Sequence, residues 1–255
     1  MTVIHKIIRR WTRIKTRLLY SWESASSCWC GGALGLSRDA RVGECQECGT
    51  GVLRQRLTEA SYERWYASGD YRRYGMGTTG VSLGQLLKEL RRASAGIRFL
   101  EEHGCPLFMQ RFGVGRPSLL DIGCGAGGWL IAAKIAGVGA ILGVDTDPRS
   151  ERIPQEFSIP VSPYMPAGGR FDRVICSHLI EHILSPVTFL RMLSMHLTDR
   201  GVLYVETPAW GPKAEVKLPH PFYYTPDSFR LLAKRADLEV VAMTDGIQAV
   251  LRRAG

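Results

Sequence analysis

Three groups of residues have the types and spacing to do chemistry. The first is Cys28-Trp29-Cys30-Gly31-Gly32 and Cys45-Gln46-Glu47-Cys48-Gly49, with 14 residues between Cys30 and Cys45. Two close thiol pairs on separate turns offer four sulfurs to a tetrahedral Zn²⁺, and four protein ligands leave no open position, so such a metal is structural. A glycine after each pair lets the backbone curl around the ion. The first pair is C-x-C, tighter than the usual C-x₂-C, and a disulfide pair or a site without metal stands as the alternative. The second group is Leu119-Leu120-Asp121-Ile122-Gly123-Cys124-Gly125-Ala126-Gly127-Gly128, an apolar strand running into a glycine turn before a helix. Such a turn brings backbone close to a ligand and points free helix N–H groups at it. An acid, Asp145, ends the next strand, where a carboxylate can accept hydrogen bonds from both ribose hydroxyls of an adenosyl group. The third group is Ser177-His178-Leu179-Ile180-Glu181-His182, with His220 further on in LPHPFYYTP. Histidine titrates in the range needed to take a proton from an alcohol. The bland reading of Glu181 and His182 is that they brace the following helix.

The segments LLDIGCGAGG, GVDTDP, FDRVICSHLIEHILSP and GVLYVETP together resemble a class I S-adenosylmethionine (SAM)-dependent methyltransferase. The type 11/12/23 group is nearest, and the resemblance covers about 117–245. It implies that Asp121 approaches the methionine end of SAM, that Gly123, Gly125 and Gly127 shape the loop, and that Asp145 holds the ribose. Thr146 and Asp147 would flank the adenine. Ser177 and His178, just past the fourth strand, would lie beside the sulfonium. The His220 loop would lie over the acceptor, which leaves His178, His220 and His182 as candidate bases. Zinc ribbons in front of methyltransferases of this group look similar to the four-cysteine segment. One departure stands in 148–170, where Pro154, Pro160, Pro163 and Pro166 predict a reduced helix and a short strand near Ile159–Ser162.

The elements that must position these residues follow from periodicity. Ser118–Ile122, Ala140–Val144, Phe171–Cys176 and Val202–Glu206 read as buried parallel strands with helices between them. The fold class is therefore α/β, a Rossmann-like sheet with helices on both faces, ending in a hairpin of Leu238–Met243 and Ile247–Arg252. Four segments divide the chain: a basic amphipathic helix (1–24), the zinc ribbon (25–57), a helical linker or lid (58–116) and the SAM-binding domain (117–255). Helix is expected from Ser82 to His103, with Gly104 and Pro106 ending it. Tyr62–Tyr74 would cover the site.

The net charge of +9 is concentrated at the front, with Lys6, Arg9, Arg10, Arg13, Lys15 and Arg17 preceding the first acid, Glu23. That weakens any argument from charge to nucleic acid. The spacing of Ile4, Ile7, Ile8, Trp11, Ile14, Leu18, Leu19 and Trp22 predicts one apolar helix face over 3–22. Its roles stay open between a membrane surface, packing on the body or a second copy, and targeting. Cysteine usage reads as a reducing compartment, and no apolar run reaches a bilayer span. The expectation is a cytoplasmic SAM-dependent methyltransferase, held at a membrane if that helix is its anchor. Its acceptor would be a small molecule, a glycan or a lipid-linked glycan, most simply a sugar oxygen or a carbon. An RNA methyltransferase and a non-catalytic SAM- or zinc-binding adaptor are the alternatives.

Overall fold

The computed structural model describes residues 3–76, 82–105, 117–212, 214–218 and 220–255. Parts of the predicted linker (77–81 and 106–116), including Pro106, lie outside the described residues. The chain opens with helix α1 (Val3–Leu19) and passes into strand β1 (Trp22–Ser24). Trp22 is therefore not on the helix: Ser21 N–H donates to Ser61 Oγ and Ser21 carbonyl accepts from Thr58, which turns the chain into the sheet. The cysteine segment then carries β2 (Leu34–Gly35), β3 (Val42–Cys45) and β4 (Gly51–Leu53), after which β5 (Gln55–Leu57) pairs antiparallel with β1.

Helices α2 (Glu59–Ala67) and α3 (Asp70–Met76) follow. They gather around Trp65, fully buried, with the rings of Tyr62, Tyr66, Tyr71 and Tyr74 all within 6.5 Å of it. Ser82 caps α4 (Leu83–Glu102) by accepting from Gln85 N–H, as its position before the periodic run predicts.

From here the alternation of strand and helix builds one sheet. Strand β6 (Leu119–Ile122) leads to α5 (Gly128–Ile135), β7 (Ile141–Val144), the short α6 (Arg152–Glu156) and β8 (Val161–Ser162). Strand β9 (Phe171–Ser177), α7 (Pro186–Met195) and β10 (Leu197–Glu206) come next, then β11 (Phe222–Tyr223), α8 (Pro226–Arg235), β12 (Leu238–Met243) and β13 (Gln248–Arg253). The seven-stranded order is β12-β13-β10-β9-β6-β7-β8, with β13 antiparallel to both its neighbours. The expected parallel strands and closing hairpin are present. So are the reduced helix and short strand in the proline-rich segment.

Alternate residues of each central strand feed opposite cores, as the two-residue side-chain period requires. Leu120, Val174 and Leu203 pack on the α7/α8 side, and Leu119, Ile175 and Tyr204 on the α4/α5 side. Strand β11 leaves this sheet and pairs antiparallel with β4, making a second sheet of order β11-β4-β3-β2. The cysteine module is thus hydrogen-bonded to a segment that follows β10, and Cys28, Cys45, Phe222 and Tyr224 share one core.

Candidate active site

A cleft of about 570 Å³ opens at the carboxyl ends of β6, β7 and β9, where an open α/β sheet binds its ligands. Its floor is the turn between β6 and α5. Gly123, Gly125 and Gly127 all adopt positive φ (71°, 58° and 83°), a conformation that L side chains resist. Space forbids side chains as well: a Cβ on Gly125 would stand 2.9 Å from Glu89 Oε1, and one on Gly127 2.6 Å from Pro154. Gly123 and Gly125 line the cleft, whereas Gly127 sits behind them as the N-cap of α5.

Around this turn stand three carboxylates. Asp121 is the penultimate residue of β6 and is buried. Asp145 Oδ2 accepts from Gly125 N–H at 2.8 Å and its Oδ1 from Asp147 N–H at 2.9 Å. Glu89, on α4, accepts from Ala126 N–H at 2.8 Å and caps the same turn. Burial, ahead of every other influence, pushes all three carboxyls up, and for Asp121 the neighbouring Glu89 and Asp145 add to it. Such a floor, made of glycine backbone and crowded acids, suits a ligand that carries positive charge, as a sulfonium with an α-amino group does.

Thr146 lines the cleft, but the adjacent Asp147 does not. Its carboxylate is buried and accepts from Arg72 Nε at 2.6 Å and Arg149 Nε at 2.6 Å, while capping the turn 148–151. It has no free face for an adenine, contrary to the expectation from the resemblance. The Arg72–Asp147 pair, each side chain 1% exposed, instead ties α3 to the end of β7. Tyr62, Tyr66 and Tyr71 line the cleft from that side.

At the end of β9 the chain makes a sharp turn, with His178 at φ +55°, an uncommon conformation outside glycine that concentrates at functional sites. Ser177 Oγ donates to Glu206 Oε2 at 2.8 Å. His178 lies between two carboxylates, with Nδ1 3.4 Å from Glu181 Oε1 and Nε2 3.7 Å from Glu206 Oε1. Glu181 is fully enclosed, and its Oε2 accepts from Thr207 Oγ1 at 3.0 Å. Its Oε1 makes no hydrogen bond among the described residues. His182 Nδ1 meets Tyr66 Oη at 2.7 Å, and its ring stands edge-on to His220 with centroids 4.7 Å apart. Ser177, His178 and His182 line the cleft, while His220 lies behind His182 and does not. Leu53 N–H donates to Pro221 carbonyl at 2.9 Å, so the cysteine module holds the His220 loop in place.

Electrostatics separate the three imidazoles. Burial disfavours the His178 cation, but the carboxylates of Glu181 and Glu206 outweigh it and raise its pKa. Burial, reinforced by His182, pushes His220 down to about 3. Burial also opposes the Glu181 anion, yet His178 and the other two imidazoles hold its carboxyl at about 2. A buried anion ringed by imidazoles can steady positive charge that arrives on one of them. The ligand atoms of Glu181, His182 and His220 lie within 4.8 Å of one another, a donor set that suits a divalent cation.

In the second cluster, Cys30 Sγ is 3.4 Å from Cys45 Sγ and 3.5 Å from Cys48 Sγ, and Cys28 Sγ is 3.7 Å from Cys48 Sγ. A zinc–sulfur bond of about 2.3 Å puts tetrahedral sulfurs about 3.8 Å apart, so the four thiols are consistent with a zinc ribbon. None is in a disulfide. Gly31 and Gly49 take positive φ beside their cysteine pairs.

The sheet order, the glycine turn and the acids at the ends of β6 and β7 define a class I SAM-dependent methyltransferase. Residues 85–243 match the methyltransferase domain family Methyltransf_23, and the chain belongs to it. The ubiquinone biosynthesis O-methyltransferase of Methylobacterium nodulans is 30% identical over 102 residues, 35% of this chain and 40% of that protein. The chain thus matches less than half the length of that curated relative. Among solved structures, 1,6-didemethyltoxoflavin-N1-methyltransferase of Burkholderia thailandensis superposes with TM-score 0.56 at 15% identity, over 86% of this chain and 97% of that one. The sugar N-methyltransferase KedS8 of Streptoalloteichus sp. gives 0.50 at 17% identity, over 63% and 86%. Both likenesses are of fold. The residues that sequence reasoning missed are Glu89, which lines the cleft from α4, and Glu206, which meets Ser177 and His178 at the end of β10. Each lies on an element whose pattern reads as packing, and only the fold brings them to these partners.

Proposed function

We propose that this methyltransferase alkylates a hydroxyl oxygen of a small-molecule or glycan acceptor, with His178 taking the hydroxyl proton. The observation that carries the reading is the enclosed Glu181 carboxylate just past β9, ringed by imidazoles of which His178 and His182 line the cleft. An amine or thiol acceptor has little need of such an apparatus, whereas an alcohol must lose a proton as the bond to carbon forms. The Methylobacterium nodulans relative is an O-methyltransferase, in keeping with this.

SAM, when bound, supplies the methyl group on a sulfonium. Asp121 and Glu89 face its cationic end, Gly123 and Gly125 admit it closely, and Asp145 with Thr146 receives the ribose and its base. Ser177 flanks the methyl donor. His178 holds the acceptor proton while Glu181 and Glu206 stabilise the imidazolium. His182 and His220 shape the acceptor side, which Tyr62, Tyr66 and Phe189 wall with apolar and aromatic surface suited to a sugar or aromatic ring. The four cysteines hold a structural zinc that fixes the His220 loop.

A second reading is favoured by the closeness of Glu181, His182 and His220, whose ligand atoms lie within 4.8 Å of one another. A divalent cation held by Glu181, His182 and His220 would polarise the acceptor hydroxyl directly. Incubation with methyl-labelled SAM and a panel of sugars, sugar nucleotides, lipid-linked sugars, phenols and RNA tests the acceptor class. Label found only in RNA, or only on amines, overturns the hydroxyl reading. Turnover that falls on chelation and returns with Mg²⁺ or Mn²⁺, at unchanged zinc content, selects the cation reading.

A further inference from the structure

Helix α1 leaves most of its apolar face outside the fold, with only Ile8 at its edge half-buried. Thr12 and Thr16 are the side chains it buries, each bonding back to the carbonyl four residues earlier. Its ties to the body are polar: Lys15 Nζ to Asp70 Oδ2 at 2.8 Å and Arg9 Nε to the Tyr74 carbonyl at 3.4 Å. On the opposite side Ile4, Ile7, Trp11, Ile14 and Leu18 stand in one stripe, exposed by 67, 51, 68, 43 and 76%. At 100° per residue, Lys6, Arg10, Arg13 and Arg17 fall on one flank of that stripe, between it and the body. The helix contains no acid. The positive surface continues behind it into a groove of about 1120 Å³, where Arg41, Arg54, Lys88 and Lys217 face one acid, Glu215.

We infer that α1 is an in-plane membrane-docking helix, seating its apolar stripe in the acyl boundary of an anionic lipid surface while its basic flank meets the headgroups. Exposed aliphatic side chains with a tryptophan among them favour an interfacial position, and cations on the polar side draw in anionic lipid. No helix among the described residues is long and apolar enough to cross a bilayer, so α1 lies on the surface. Charge complementarity selects this occupant. A second copy of α1 on the stripe would bring two acid-free, arginine-rich helices together, and a nucleic acid would engage the cations but leave the apolar stripe in water.

Vesicle flotation of the full chain tests the inference. Wild type should float with phosphatidylcholine vesicles that contain phosphatidylglycerol at least about tenfold more than with phosphatidylcholine alone. High salt should weaken that binding. Ile7→Glu with Trp11→Glu should reduce flotation at least about tenfold while the melting temperature and SAM affinity stay near wild-type values, because both side chains are at least half exposed and neither is in a core cluster. Arg10→Ser with Arg17→Ser should abolish the preference for anionic vesicles. Wild type that fails to float, or a stripe variant that floats like wild type, overturns the inference. So does a wild-type dimer that the stripe variant converts to monomer without any vesicle binding. Tight binding of poly(U) with no flotation overturns it in favour of a nucleic acid.

Discussion

His178 and His220 differ in charge state for reasons visible in their surroundings, and that difference makes the base experimentally identifiable. The His178 pKa is raised by Glu181 and Glu206, so the residue becomes a free base only above the ordinary histidine value of about 6.5. If it takes the acceptor proton, kcat should rise with pH through an apparent pKa above that value. His220, held down at about 3, would give no acid limb between pH 5 and 8. A pH–rate profile flat across that range therefore excludes His178 and leaves His220 or a bound cation. His178→Ala should lower turnover about 10²- to 10⁴-fold with SAM affinity nearly unchanged. The same ion pairs carry a stability signature of opposite sign. A raised folded-state pKa adds stability that is complete below about pH 6.5 and is lost as pH rises through the raised value. On the cofactor side, Asp145→Ala deletes a charged acceptor and should weaken SAM binding by about 1.5–3 kcal/mol in calorimetry. Unchanged affinity would remove Asp145 from the cofactor site.

At the scale of elements, one buried ion pair, Arg72–Asp147, ties α3 to the end of β7 beside the ring packing on Trp65. Arg72→Met would leave the Asp147 carboxylate enclosed with only Arg149 as partner, and breaking such a pair costs about 3–5 kcal/mol. Chemical denaturation should show a loss of that order, and a loss below about 1 kcal/mol would mean that Asp147 finds water instead. The pair also shows why part of the site was legible in the sequence and part was not. The glycine turn, Asp121 and Asp145 announce themselves because backbone geometry requires glycine within a short window, and because strand ends follow from local hydrophobic runs. The four cysteines are equally local. Arg72 and Asp147 are 75 residues apart, and Glu89 reaches the turn from a helix 37 residues before Ala126, so no local period marks them. Trp22 was misassigned for a related reason. Its spacing continues the helical stripe, but pairing with β5 draws it into a strand. The sequence shows that α1 is amphipathic, yet not that its apolar side points outward, because that depends on what Asp70 and Tyr74 offer the other face.

At the scale of the whole molecule, the ribbon and the sheet are joined through β11, which follows β10 in the chain but hydrogen-bonds to β4. Val52 and Leu57 are fully buried, and Cys28 and Cys45 pack in the same core as Tyr224 and Phe229. A segment this short and poor in apolar residues has little core of its own, and zinc bound by the four thiols would supply ligand bonds in its place. If the sulfurs were released from such an ion, β3 and β4 would lose their anchor, β11 its partner, and the His220 loop the bond from Leu53. Zinc loss should therefore reach the far side of the acceptor pocket while sparing Asp121, Asp145 and the glycine turn. Purified, reduced protein should contain about one zinc per chain, and Cys45→Ser should lower that content. The same variant should cut turnover more than it weakens SAM binding, because the damage falls on the acceptor side. Calorimetry should show one unfolding transition in the wild type, and zinc removal should shift that whole transition down by roughly 2–4 °C for each kcal/mol lost. If zinc-free protein instead shows a separate low-temperature transition, with the main one unmoved and turnover intact, the ribbon is an independent appendage. In that case the hydrogen bonds between β4 and β11 contribute little to holding His220.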